Sequence, residues 1–162
     1  MLFSASCSQQ KSNADGNVKD DQAAEEMDAG NFEAEYDWIL PDFSYVNEDG
    51  EQVSKTDLLG EAWLANFVFT NCSTVCPPMT ANLAKVQGMM KEAGLNNRII
   101  SFSVDPERDT PEVLKEFAGR FQLDLETWDF LTGYEQEEVK ELAKSFKTLA
   151  EPEEGTDQFI HS

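Results

Sequence analysis

Three short, nearly continuous apolar runs punctuate this chain, and stretches whose apolar positions recur every three to four residues separate them. The run Trp63-Leu-Ala-Asn-Phe-Val-Phe69 reads as a buried strand of a parallel sheet. Arg98 to Val104 reads as a second, and Thr127 to Leu131 as a short third. From Met79 to Ala93 the residues Leu83, Val86, Met89 and Met90 recur at helical spacing, and Gly94 suits the stop. Asp109-Thr-Pro111 starts a helix that runs through Phe121, with Asp109 as N-cap and Pro111 in the first turn. Leu114, Phe117, Ala118 and Phe121 make its apolar face. Glu135 to Phe146 is a further amphipathic helix, with Val139, Leu142, Ala143 and Phe146 inward. Ahead of these, Phe43 to Val46 and Gln52-Val53 flank Asn47-Glu-Asp-Gly50, a hairpin turn. Leu58-Leu59-Gly60 is a short turn into the first buried strand. Strands alternating with helices predict an α/β fold: a mixed central sheet flanked by helices, with an N-terminal β-hairpin.

The first buried strand runs into Phe69-Thr-Asn-Cys72-Ser-Thr-Val-Cys76-Pro-Pro-Met79-Thr80. Pro77 and Pro78 suit the first turn of a helix, where a missing N–H costs nothing. Both cysteines are therefore expected in the loop between strand and helix, at the carboxyl end of a strand, where sites in open α/β sheets gather. A nearby helix N-terminus favours thiolate, which is both the nucleophile and the metal ligand. The pair can form a redox disulfide, bind a soft metal, or do both by turns. A structural disulfide closing so short a loop stabilises little. A closed zinc site needs four ligands, and the chain offers Cys7, Cys72, Cys76 and one histidine, His161. Two thiolates and one imidazole suit copper better. Met79 reads as a core side chain rather than an axial ligand. Asp105 follows the second strand and faces the same rim, either as a site carboxylate or as an Asp-Pro turn.

The segment Phe67 to Thr80 resembles the signature of the Sco/SenC family. Three further matches are Ile99-Ile-Ser-Phe-Ser-Val-Asp105-Pro-Glu-Arg-Asp109-Thr-Pro111, Asp129-Phe-Leu-Thr-Gly133, and the isolated His161 beside Ile160. The resemblance runs from about Leu40 to the end of the chain. It implies a thioredoxin-like domain, tethered to a membrane, that delivers copper to cytochrome c oxidase. It makes Cys72, Cys76 and His161 the copper ligands and puts Asp105 in the site's surroundings. It also implies that a strand hairpin and a last helix follow the strand begun at Gln158-Phe-Ile-His161. The expectation is thus a domain incomplete at its C-terminus: as a whole polypeptide it would hold His161 on a fraying end with low stability and weak copper binding, and as a fragment of a longer chain the family function stands.

Residues 36–162 are expected to form the domain, and residues 1–35 a signal remnant with a disordered acidic tether. Gln9 to Ala34 has too few large apolar residues to offset the entropy of ordering. Met1-Leu-Phe-Ser-Ala-Ser-Cys7-Ser resembles the end of a lipoprotein signal with Cys7 as the lipidated residue, and a spare thiol is the alternative. The expected location is the extracytoplasmic face of a bacterial cell membrane. No stretch approaches the roughly 20 apolar residues of a spanning helix. Twelve Lys and Arg stand against 32 Asp and Glu, a net charge of -20. Such a surface repels nucleic acid and anionic headgroups and attracts basic partners.

Three functions follow from these readings. The first is a copper metallochaperone that holds one copper ion on Cys72, Cys76 and His161 and passes it to the binuclear copper centre of the oxidase. The second is a thiol–disulfide reductase that uses Cys72 and Cys76 to keep the acceptor's cysteines reduced. The third is a redox or copper sensor acting through a partner.

Overall fold

The computed structural model describes residues 39–152 and 159–161. All of them lie in the compact unit Tyr36–Ser162. Cys7 and the expected tether of residues 1–35 fall outside the described residues.

Strand β4 (Ile99–Ser103) is the centre of the sheet. Strands β3 (Leu64–Val68) and β5 (Trp128–Leu131) run parallel on either side of it, in the order β3-β4-β5. Leu64 stands opposite Ile99 and Val68 opposite Ser103; Ile99 in turn stands opposite Trp128. Every residue of β4 and β5 is buried, as their apolar runs require. Strand β3 is buried only at Phe67 and Val68, while Leu64 and Ala65 are exposed. It stands at the end of the sheet, and among the described residues no strand pairs with its outer edge. This corrects the expectation of a strand buried along its length.

Three helices pack on the sheet: α1 (Cys76–Glu92), α2 (Pro111–Arg120) and α3 (Gln136–Ser145). The inward faces of α2 and α3 are the expected ones, built on Leu114, Phe117 and Ala118 and on Val139, Leu142 and Ala143. Helix α1 departs from expectation twice. It begins at Cys76, so that cysteine belongs to the first helical turn and not to the loop. Its buried face carries Cys76, Thr80 and Gln87, while Val86 and Met89 are exposed. Gln87 wins the inward position because its amide is fully used. It donates to the Asp124 carbonyl at 2.7 Å and to Thr127 Oγ1 at 2.9 Å, and it accepts from the Asp124 N–H at 3.1 Å. Asp109 is likewise not the cap of α2. Thr110 is, with its Oγ1 accepting from the Val113 N–H, because the Asp109 carboxylate turns into the protein.

The hairpin of β1 (Ser44–Val46) and β2 (Gln52–Ser54) closes the outer edge of β5. Its turn is tied by Asn47 Oδ1, which accepts from the N–H groups of Asp49 and Glu51. Val46 and Thr132 exchange backbone hydrogen bonds of 3.2 and 2.9 Å. The contact requires glycine at 133: φ is +81°, and a Cβ there would lie 2.6 Å from Val46 Cγ2. Asn47 Nδ2 donates to Asp129 Oδ1, and the carboxylate of Glu48 accepts from the Phe130 N–H at 2.8 Å. Arg98 pairs with the other oxygen of Asp129.

Strands β6 (Ala150–Pro152) and β7 (Phe159–His161) form an antiparallel ribbon in which Ala150 stands opposite His161. The strand that carries His161 is thus paired along Phe159–His161. Its Phe159 ring packs on Phe69 with centroids 5.2 Å apart.

Burial pushes the Glu48 carboxyl up to about 6, and the Asp129 and Asp49 charges add to the rise, against the hydrogen bond from Phe130. A carboxyl raised in the folded state binds its proton more tightly there than in the unfolded chain. Its ionisation therefore removes stability as pH rises from about 4.5 through about 6. Glu48→Gln keeps an acceptor for Phe130 and should be more stable than the parent at pH 7 by about 1–2 kcal/mol. The advantage should vanish at pH 4, as read from urea unfolding at the two pH values.

Candidate functional site

The site grows from the carboxyl end of β3. Beyond Val68 the chain leaves the sheet at Thr70, whose N–H and Oγ1 both donate to the carboxylate of Asp109, the hydroxyl at 2.6 Å. Two residues on, the Cys72 N–H turns back to the Phe69 carbonyl at 3.3 Å. Ser73, Thr74 and Val75 are exposed, and α1 then starts at Cys76. The first N–H groups of a helix have no partner within it. Here the Cys76 N–H is directed at Cys72 Sγ, 3.3 Å away. Pro77 and Pro78 fill the following positions of the first turn, where no N–H is needed.

This geometry makes the two sulfurs unequal. Burial tends to raise the Cys72 thiol, but hydrogen bonds from the Cys76 side chain and from the N–H groups of Cys76, Thr74 and Val75 outweigh it. The result lies at about 7. The Cys76 thiol is pushed up to about 12, first by burial and then by its neighbour Cys72 and the charge of Asp109, against a backbone hydrogen bond at Phe69. Cys72 retains 5% of its surface and Cys76 none. Both are thiols, not joined to one another. At pH 7 about half of Cys72 is therefore thiolate, while Cys76 behind it keeps its proton.

Asp105 lies at the end of β4, buried, with its carboxylate paired to Arg108 and its N–H donating to Ser103 Oγ. Asp109 is fully buried, and its carboxylate also accepts from Ser103 Oγ at 2.6 Å. Burial raises its carboxyl, and the bonds from Ser103 and Thr70 oppose the rise. The backbone of His161 belongs to β7, opposite Ala150 of β6. Phe159 itself touches Phe69, three residues before Cys72. Met79 is half-buried on the first turns of α1. Among the described side chains no three His, Cys, Asp or Glu converge as a metal site, and Cys72 and Cys76 are the thiol donors they supply. The donor set assigned by resemblance fits copper, because two soft sulfurs and an imidazole leave a coordination position open.

The Thr70, Ser103 and Asp109 cluster is what sequence reasoning missed. A signal was present: two serines, Ser101 and Ser103, stand in an otherwise apolar strand and demand buried partners.

The model of the SCO1/SenC family matches residues 33–162. The chain belongs to this family. The SCO1 protein homolog of Bacillus subtilis is 53% identical over 120 residues, which are 74% of this chain and 62% of that protein. The match thus spans under two thirds of the relative's length. Among solved structures, a SCO1/SenC family lipoprotein from Bacillus anthracis superposes with a TM-score of 0.72 at 48% identity, covering 77% of this chain and 74% of that one. BsSco is a member of the Sco family of cytochrome c oxidase assembly proteins in which a disulfide switch is identified. It gives a TM-score of 0.69 at 52% identity, with 75% and 72% covered. Arabidopsis thaliana ScoI with copper bound gives 0.61 at 29% identity, with 76% of each chain covered. These superpositions bear out the expected thioredoxin-like Sco arrangement of a parallel sheet flanked by helices with an N-terminal hairpin. No helix among the described residues is long and apolar enough to cross a membrane.

The inequality of the sulfurs has a direct readout. Iodoacetamide at pH 7 should modify Cys72 first, at a rate that rises with pH about a midpoint near 7, because the thiolate is the nucleophile. Cys76 should stay unmodified until the fold is opened with denaturant. Peptide mass spectrometry over a pH series checks both statements.

Proposed function

We propose that this protein is a copper metallochaperone. It holds one copper ion on Cys72, Cys76 and His161 and delivers it to the copper-bearing subunit of cytochrome c oxidase. The observation that carries this reading is the Cys76 N–H on Cys72 Sγ, which favours the thiolate of one soft sulfur beside a second. Family membership supports it, together with the copper-bound state of Arabidopsis ScoI and the oxidase-assembly role of BsSco. Copper is cargo here. Each thiol that ligates it gives up its proton, so loading releases protons and weakens as pH falls. Asp105 lies next to the site rather than in the proposed ligand set. Its pairing with Arg108 supports a role in shaping the rim. Residues 1–35 are proposed as the tether, with Cys7 lipidated at the extracytoplasmic face of the cell membrane. The lipoprotein relative from Bacillus anthracis supports that anchor.

The sulfur asymmetry favours a second reading, thiol–disulfide reductase. The Cys72 thiolate attacks one sulfur of a target disulfide and expels the other as thiolate. Cys76 then loses its proton and attacks Cys72 Sγ, which releases the reduced target and leaves a Cys72–Cys76 disulfide. Two electrons pass to the target, and the Cys76 proton goes to the departing sulfur.

Titrating the reduced chain with copper should give a one-to-one complex with a strong sulfur-to-copper charge-transfer band and an electron paramagnetic resonance signal for Cu(II). His161→Ala should abolish tight Cu(II) binding and leave reduction of a model disulfide intact. A folded chain with no saturable binding would leave only the thiol-redox reading, and equal loss of both activities in His161→Ala would defeat the division of labour.

A further inference from the structure

Asp109 joins three chain ends beneath the cysteine loop. Its carboxylate takes the Thr70 N–H at 3.2 Å, the Thr70 hydroxyl at 2.6 Å and the Ser103 hydroxyl at 2.6 Å, and its own N–H donates to the Asp105 carbonyl at 2.9 Å. Thr70 is where β3 has ended and the loop to Cys72 begins. The last bond between β3 and the extension of β4 is Val104 N–H to Val68 O, at 2.9 Å. Past that point the sheet no longer holds the chain, and the donors of Thr70 go to Asp109 instead. A carboxylate with no exposed surface is an expensive way to hold a turn.

We propose that Asp109 is a positioning residue for the Cys72–Cys76 pair: through Thr70 it anchors the strand end of the loop, so that Cys72 stays against the helix end that carries Cys76. The proposal rests on reading the two cysteines as a redox couple and does not depend on copper. One end of the five-residue span from Cys72 to Cys76 is fixed by α1, and the other is held by the Cys72 N–H on the Phe69 carbonyl and, just before it, by Thr70 on Asp109. Bond formation between two sulfurs needs their Cβ atoms within about 3.5–4.5 Å. Freeing one end of the span lowers the effective concentration of one sulfur at the other, and with it the equilibrium for closing the disulfide. Closing transfers two electrons from the two thiols to oxidised glutathione and releases two reduced glutathiones, which take up the two protons.

The test equilibrates the full chain with glutathione redox buffers at pH 7 and measures the Cys72–Cys76 disulfide by thiol trapping and peptide mass spectrometry, which sets Cys7 apart. Asp109→Ala should lower the closing constant about tenfold, which is about 30 mV for this two-electron couple. Asp109→Asn keeps an acceptor oxygen for Thr70 and should return it to within about threefold of the parent. Thr70→Val loses the hydroxyl bond but keeps the backbone one, so it should fall between, and it decides the matter if Asp109→Ala does not fold. Trp128→Phe, which removes a buried hydrogen bond to Ser101 far from the loop, should lose stability and leave the constant unchanged. A parental constant in Thr70→Val, failure of Asn to restore what Ala loses, or an equal loss in Trp128→Phe would each overturn the assignment. A parent chain that never closes the disulfide would overturn the redox couple itself, and the assignment with it.

Discussion

A buried polar group must find a partner, and in β4 that requirement organises the molecule. The strand admits no solvent along its length, yet two of its five residues are serines. Ser101 Oγ donates to Asn66 Oδ1 on β3 and accepts from Trp128 Nε1 on β5, at 2.7 and 2.8 Å. One hydroxyl thus ties both neighbours of the central strand. A slip of β3 or β5 by one residue would strand Ser101 among apolar side chains, at a cost of about 1–3 kcal/mol for each lost partner. Ser103 repeats the arrangement one pleat further on. Its hydroxyl donates to Asp109 and accepts from the Asp105 N–H, so the end of the sheet is stitched to the start of α2. The same stitch reaches the cysteine loop through Thr70. The positions of the sulfurs are therefore set by hydrogen bonds that begin in the core.

From that anchored rim, the difference between the sulfurs follows from helix geometry. Because Pro77 and Pro78 carry no N–H, a helix that begins at Cys76 directs one N–H, that of Cys76, at the preceding loop, where Cys72 Sγ accepts it. Cys76, as the first helical residue, points into the packed interface between α1 and the sheet and loses its hydration. Stabilisation of one thiolate and desolvation of its partner thus arise from a single placement of the helix start. Moving that start by one residue would redirect the N–H groups and alter both effects together.

Much of this was legible in the chain. The uninterrupted apolar runs announce β4 and β5, Asn47 to Gly50 announces the hairpin, and the cysteine block announces the site. The failures have physical causes. The face of α1 was misjudged because a glutamine outcompetes Val86 and Met89 for the interior, and only the folded Asp124–Thr127 loop explains how its amide is satisfied. The sequence suggests Asp109 as a cap because an acidic residue before a helix often is one. Its true partners lie 39 and 6 residues away in sequence. Ala150-Glu-Pro152 shows no alternation and contains a proline, so β6 becomes recognisable only with Phe159 to His161 beside it. The contrast between Cys72 and Cys76 is invisible in their spacing, since burial and the aim of one N–H decide it.

The two proposed functions draw on the same sulfurs in states that exclude each other. A sulfur joined in a disulfide has no thiolate to give a metal, so copper loading requires the reduced pair. Conversely, copper held by both sulfurs removes the nucleophile that a reductase needs. Whichever reading holds, the oxidation state of Cys72 and Cys76 decides what the site can accept. Among the described residues Ser73, Thr74 and Val75 are exposed, while Cys72 is nearly covered and Cys76 wholly so. Reaching Cys76 from solvent requires the loop to move, or Cys72 to hand on what it has received. The order of events at the pair, Cys72 before Cys76, is in this sense a consequence of packing before it is one of acidity.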